Sequence, residues 1–136
     1  KEGWLEKDPF HDYDHGYKDR EITFLTEDEL KRIENKDFST ESLSRVRDVF
    51  VFSCYTGLSY CDAKKLSSSH LKEYGDEFHI HVNRKKTGEV CRIMLLPKPL
   101  EIIHRYKNSP KRDKDKLLPM KSNQETNEYL KTIADV

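Results

Sequence analysis

The sequence predicts a mixed α+β fold, mostly helical, with one small three-stranded antiparallel sheet. Three observations predict it. Apolar residues recur at helical spacing in segments that open on recognisable cap residues. One stretch, Phe78 to Asn83, alternates apolar and polar without a break. Turn signals flank that stretch, Gly75-Asp76 before it and Thr87-Gly88 after it.

The elements follow in order. Residues 1–23 are rich in Asp, Lys, His and Tyr with little periodicity and are interrupted by Pro9 and Gly16, so they read as a linker or arm preceding a domain over 24–136. His11 and His15 stand four apart there, but isolated His pairs in linkers are usually only solvated. The first helix starts at Thr26, where Glu29 three residues on makes a capping box and Leu25 and Leu30 match a hydrophobic staple; it runs to about Asn35. The second begins near Ser39 or Thr40. Leu43, Val46, Val49, Phe50 and Ser53 form its stripe. Val51, Phe52, Cys54 and Tyr55 widen the stripe, so the C-terminal half is expected to be buried nearly all round. Gly57 closes it in the left-handed conformation. Ser59 caps a short third helix with Asp62 at its third position. Strands are expected at about 70–74, 77–84 and 90–96, with Phe78, Ile80 and Val82 facing inward. Pro99 sits in the first turn of a fourth helix, which carries Leu100, Ile103 and Tyr106 on one stripe. A basic loop with Pro110 and Pro119 fills 107–121. Ser122 and Glu125 form a second capping box, opening a last helix with Leu130 and Ile133 inward.

Composition bounds the function. The 136 residues make one modest domain or part of a larger one; 35% hydrophobic against 37% charged is a thin core for that length. Formal net charge is zero, but its distribution is uneven. Residues 84–121 hold 12 Lys/Arg against 4 Asp/Glu, a net of +8, while residues 1–83 carry a net of −6. A basic block in a neutral chain is the footprint of a phosphate-binding face, or alternatively ordinary solubility charge on exposed turns. Three cysteines, Cys54, Cys61 and Cys91, with no CxxC, argue against a disulfide framework and a zinc knuckle. No segment has the look of a signal peptide or a membrane span, so no membrane partner is expected and a reducing cytoplasm is the expected compartment.

Several phrases occur in a fixed order: Phe24-Leu25-Thr26, Arg47-Asp48, Phe50, Phe52-Ser53-Cys54, Thr56-Gly57-Leu58, Arg84–Gly88 and Ser122-Asn123-Gln124. Their succession over about residues 22–134 resembles the first half of the catalytic domain of tyrosine-type site-specific recombinases (the phage integrase family), in wording close to a Bacteroidetes-type subgroup. The resemblance implies a truncated recombinase catalytic domain from a mobile element, with the remaining motifs past Val136. It implies DNA strand cleavage and rejoining without a cofactor or metal. A Tyr hydroxyl attacks a phosphodiester, forming a 3′-phosphotyrosine. Cationic side chains stabilise the pentavalent phosphate and a hairpin Lys protonates the leaving oxygen. Duplex DNA and other protomers on that DNA are the implied partners.

Lys86 matches the hairpin lysine and is the leading catalytic candidate; otherwise it is an exposed turn residue touching phosphate or water. The family's first arginine should follow Thr-Gly-Leu, and Ser59 stands there instead. Serine cannot supply a fixed cationic fork. Arg84, two residues before Lys86 and so expected on the same strand face, is the candidate replacement, or else a simple phosphate clamp. Asp62 matches an acidic position that orients active-site groups, or is only a first-turn charge. Lys64, Lys65, Lys85, Lys111, Arg112 and Lys114 are the DNA-binding candidates. His81-Val82-Asn83-Arg84 fits the family's His-x-x-Arg by letters, but a strand places its ends on opposite faces. Tyr106 and Tyr129 read as packing residues. His79 and His81 share a strand face, with Cys91 a conceivable neighbour across the hairpin; paired solvent-side histidines are the commoner case. The alternative from another class is a DNA-binding or accessory module of a mobile element that kept the scaffold without the chemistry. A plain α+β interaction domain is the third.

Overall fold

The computed structural model describes residues 11, 12, 16 and 22–135. The linker assigned to 1–23, with its His15, therefore lies almost wholly outside the described residues. The chain is mixed α+β. Helices α1 (Glu27–Asn35), α2 (Glu41–Thr56) and α3 (Tyr60–Lys65) are followed by strands β1 (Leu71–Tyr74), β2 (Glu77–Asn83) and β3 (Val90–Met94). Helices α4 (Pro97–Tyr106) and α5 (Asn123–Ala134) complete it. A single 3-10 turn, Ser68–His70, joins α3 to β1.

Cap chemistry sets the helix boundaries. Thr26 and Glu29 bond reciprocally at the start of α1, and Ser122 and Glu125 do the same at α5. The Thr40 hydroxyl accepts from the Leu43 N–H to open α2. Gly57 ends α2 at φ 66°, a left-handed conformation that costs a β-carbon-bearing residue about 1–2 kcal/mol. Ser59 opens α3 by accepting from the Asp62 N–H.

Helix α2 is the centre, packing against α1, α4 and α5. Val49, Val51 and Phe52 of α2 join Leu66, Ile80 of β2 and Ile102 of α4 in one core. The expected burial of the second half of α2 holds for Val51 and Phe52 but not all round. Tyr55 is half-buried and Cys54 is exposed, because no element among the described residues covers that flank. Helix α4 faces inward on Pro99, Ile102, Ile103 and Tyr106, so Ile102 belongs to the stripe and Leu100 lies at its margin.

The sheet has the order β1-β2-β3, antiparallel throughout, with Ile80 opposite Leu71 and Ile93. Ile80 and Val82 are buried, as alternation predicts. Two strand ends differ from expectation. Strand β3 stops at Met94, because Leu96 caps α4 and Pro97 starts it. Strand β2 stops at Asn83, because Gly88 at φ 73° turns the chain so that the Arg84 N–H bonds the Glu89 carbonyl (2.9 Å) and the Gly88 N–H bonds the Arg84 carbonyl (2.8 Å). Arg84 and Lys86 therefore lie in a turn, where the two-residue strand period no longer fixes a shared face.

The basic loop contributes more to packing than its composition suggests. Leu117, Leu118 and Pro119 are buried. The Leu117 N–H bonds the Leu66 carbonyl (3.1 Å), the Ser68 N–H bonds the Asp115 carbonyl (3.3 Å), and Ser67 pairs with Lys116 in an isolated bridge.

Candidate functional site

Asp62 is the point where α3 and the basic hairpin meet. It lies on the buried side of α3 at 5% exposure. Its Oδ1 accepts the Lys85 backbone N–H (3.0 Å) and faces the Lys65 ammonium at 2.8 Å, while the Ser59 hydroxyl donates to Oδ2 (2.9 Å). The Lys65 ammonium, then the Lys85 N–H and Ser59 hydroxyl, outweigh burial and hold the Asp62 carboxyl down at about 2. It is a fixed anion with two donors on Oδ1 and one on Oδ2. Its role is to position groups, and it has no proton to exchange near neutral pH.

Those bonds place the turn after β2 against the Thr56–Ser59 corner. Arg84 reaches across: its Nε donates to the Cys91 Sγ (3.2 Å), and an Nη lies 3.5 Å from the Gly57 carbonyl, the outer limit of a hydrogen bond. The Lys65 ammonium also donates to the Asn83 carbonyl at the base of the turn. The structure thus gathers Ser59, Asp62, Lys65, Arg84 and Lys85 in one place. Arg84, Lys85 and Lys86 remain exposed. Lys86 is at the tip of the turn, adjoining Arg84 and Lys85 in sequence.

The remaining candidates lie elsewhere on the surface. Lys64 follows Asp62 by two residues, so it points away from it; its ammonium sits 5.7 Å from the Tyr60 ring centre. Lys111 and Lys114 are exposed and Arg112 is half-buried in the 107–121 loop. His79 and His81 lie on the outer face of the sheet with Tyr74, whose ring is edge-on to His79 at 5.4 Å and stacked on His81 at 5.9 Å. Burial, then Arg92, lowers the pKa of His81. Cys91 pairs with Val82 on the opposite, core-facing side, so the three do not converge. Among the described residues no group of three or more His, Cys, Asp or Glu could hold a metal, and no helix among them is long and apolar enough to cross a membrane.

Three of the described tyrosine hydroxyls are hydrogen-bonded. Tyr60 donates to the Lys121 carbonyl (2.6 Å) and Tyr55 to Glu34 (3.2 Å). Tyr106 is buried and donates to Asp48 Oδ2 (2.8 Å); burial, then that bond, pushes its phenol far above the ordinary tyrosine range. Tyr129 lies beneath Lys121, 5.0 Å from the ring centre.

Sequence reasoning missed the buried polar cluster around Asp48. Arg47 meets Oδ1 at 2.9 Å, and Arg105 meets Oδ2 at 2.8 Å beside Tyr106. Arg47 also bonds the Lys36 carbonyl and lies 5.9 Å from the Phe38 ring centre. This cluster ties α2 to α4 and to the α1–α2 connection. A charged pair at helical positions flanked by valines was its one available signal. A groove of about 770 Å³ opens beside α1, with Leu25, Ile33, Phe38 and Ile133 among its lining, and none of the predicted site residues touches it.

Compared with models of protein families, with curated proteins and with solved structures, the chain matches none.

Proposed function

We propose that this chain belongs to a DNA strand-cleaving and strand-rejoining protein of the tyrosine recombinase type, acting in the integration or excision of a mobile element. One observation carries the reading. The exposed Arg84–Gly88 turn is anchored through the Lys85 N–H and Asp62 beside the Ser59 corner, so its cations stand over a fixed, internally neutralised base. The ordered phrases of the sequence support the same reading.

In this scheme a tyrosine hydroxyl attacks the phosphorus of a duplex phosphodiester. The P–O5′ bond breaks, the enzyme keeps a 3′-phosphotyrosine, and the departing 5′ oxygen takes a proton from the Lys86 ammonium. The liberated 5′-hydroxyl then attacks the phosphotyrosine of a partner strand and releases the tyrosine. Arg84 takes the place of the arginine absent at Ser59, offering a guanidinium to the non-bridging oxygens. Asp62 holds the turn and does not itself touch DNA. Tyr55, Tyr60 and Tyr106 hold their hydroxyls in hydrogen bonds, so this scheme uses none of these three as the nucleophile. Other protomers on the same DNA, a cytoplasmic location and chemistry without a cofactor belong to the same proposal.

The test is Arg84→Ala in the full-length protein. Cleavage is lost while duplex affinity stays within about threefold, because one exposed cation among several contributes only a part of the phosphate attraction. Normal cleavage by that variant removes Arg84 from the mechanism. One observation favours a second reading: Ser59, where the family has arginine, suits an accessory DNA-binding module that kept the scaffold without the chemistry. That reading predicts salt-dependent duplex binding with no covalent protein–DNA species under any condition.

A further inference from the structure

On the other flank of α3 from Asp62 is a small basic cavity. Its volume is about 80 Å³, and it is lined by Lys64 of α3, by Lys111, Asp113 and Lys116 of the following loop, and by Leu118 and Met120. Three ammonium-bearing side chains and one carboxylate leave a net of +2 around a space of about one oxyanion. Concentrating like charges in one concavity is unfavourable unless an anion neutralises them.

The walls are fixed by the backbone. Ser67 pairs with Lys116, the Lys116 N–H bonds the Asp113 carbonyl (2.9 Å), and the Leu117 N–H takes up the Leu66 carbonyl (3.1 Å). That last bond occupies the carbonyl of Leu66, the C-cap residue of α3. Leu118, at 1% exposure, forms an apolar floor. Lys64, Lys111 and Lys116 thus line one cavity, and backbone bonds at residues 66–68 and 115–117 hold the wall that carries Lys116.

We infer that this cavity is a phosphate-binding site that takes a single backbone phosphate of a DNA duplex, separate from the linkage offered to the Arg84–Gly88 turn. The duplex as the phosphate's source rests on the function proposed above; the chemistry of the site does not. Lys116 is thereby a phosphate ligand. Lys64 and Lys111 act with it on one phosphate rather than as independent surface charges.

The test uses this chain, the triple variant Lys64→Gln/Lys111→Gln/Lys116→Gln, and two ligands. The first is a duplex, with affinity measured by fluorescence anisotropy over a range of salt. Binding log K falls with log salt at a slope of about 0.9 per phosphate neutralised. A shared site predicts that the triple variant lowers the slope by about 0.9. Three independent contacts would lower it by about 2.7, and that result overturns the proposal. The second ligand is inorganic phosphate, followed by amide chemical shifts at residues 64 and 111–118 at constant ionic strength. Saturable shifts that vanish in the triple variant support the site. If they occur without any change in duplex slope, the phosphate is a free one and the duplex assignment falls. Absence of both effects rejects the site outright. Lys86→Ala separates the two readings: it leaves the cavity's phosphate shifts intact, whatever it does to strand cleavage.

Discussion

At the scale of single residues, Asp62 decides the geometry. Its folded carboxyl titrates at about 2 against an ordinary 3.8. A depressed carboxylate stabilises the fold above its unfolded value and loses that contribution as pH falls through the folded one. The contribution is thus complete above about pH 5 and disappears between about pH 4 and pH 2. Asp62→Ala should cost about 2 kcal/mol at pH 6, the scale of a lost charged hydrogen bond. Urea melts of wild type and variant should converge as pH drops toward 2. A difference that persists at pH 2 would show that Asp62 stabilises through packing instead of charge. The turn that carries Lys86 was legible from sequence because Thr87-Gly88 marks it, whereas the place of Arg84 in that turn was not. The Arg84 contacts with Gly57 and Cys91 were not, since they join residues far apart in the chain and depend on where β2 stops.

At the scale of elements, local chemistry was read well where a cap or turn fixes it. The α1 and α5 capping boxes, the Gly57 terminus and the Ser59 cap all depend on neighbours within four residues, and all form. The errors fall where tertiary packing chooses. Leu117 and Leu118 look like part of a basic loop, yet they fill the core because the loop bonds back onto the end of α3. Cys54 fits an apolar helix end, yet it is exposed among the described residues. Gly57→Ala tests the corner that seats the hairpin: a β-carbon at φ 66° should cost about 1–2 kcal/mol. It should lower the denaturant midpoint without altering the m-value. An unchanged midpoint would mean that α2 can end in another conformation, and the Ser59 corner would then be less fixed than its hydrogen bonds imply.

At the scale of the whole molecule, a buried polar cluster ties helix to helix and an apolar core ties the helices to the sheet. Asp48 joins Arg47, Arg105 and Tyr106, linking α2 to α4. Removing it takes the only carboxylate partner among the described residues from the Arg47 guanidinium, whose side chain is only 10% exposed, and leaves it the Lys36 carbonyl. Asp48→Ala should therefore cost about 3 kcal/mol, a large share of the stability of a small domain. A loss well under 1 kcal/mol in equilibrium unfolding would show that water reaches the cluster and replaces the carboxylate. Sequence patterning could not expose this network, because the Asp48 partners on α4 are 57 and 58 positions away. The uneven charge was visible at once, and the fold arranges it. The hairpin and the 107–121 loop lie on opposite flanks of α3, so its short length separates two basic features.

The most direct measurement concerns proton donation by Lys86. Full-length wild-type and Lys86→Ala proteins would be compared in single-turnover cleavage of two duplexes, one ordinary and one with sulfur replacing the bridging 5′ oxygen. A thiolate leaves without protonation, having a far lower conjugate-acid pKa than an alkoxide. The account predicts that Lys86→Ala slows cleavage of the ordinary duplex by about 10²–10⁴-fold, the usual contribution of a general acid, and cleaves the sulfur-bridged duplex at close to the wild-type rate. Equal rates for the two proteins on ordinary DNA, or an equal deficit on both duplexes, would contradict it.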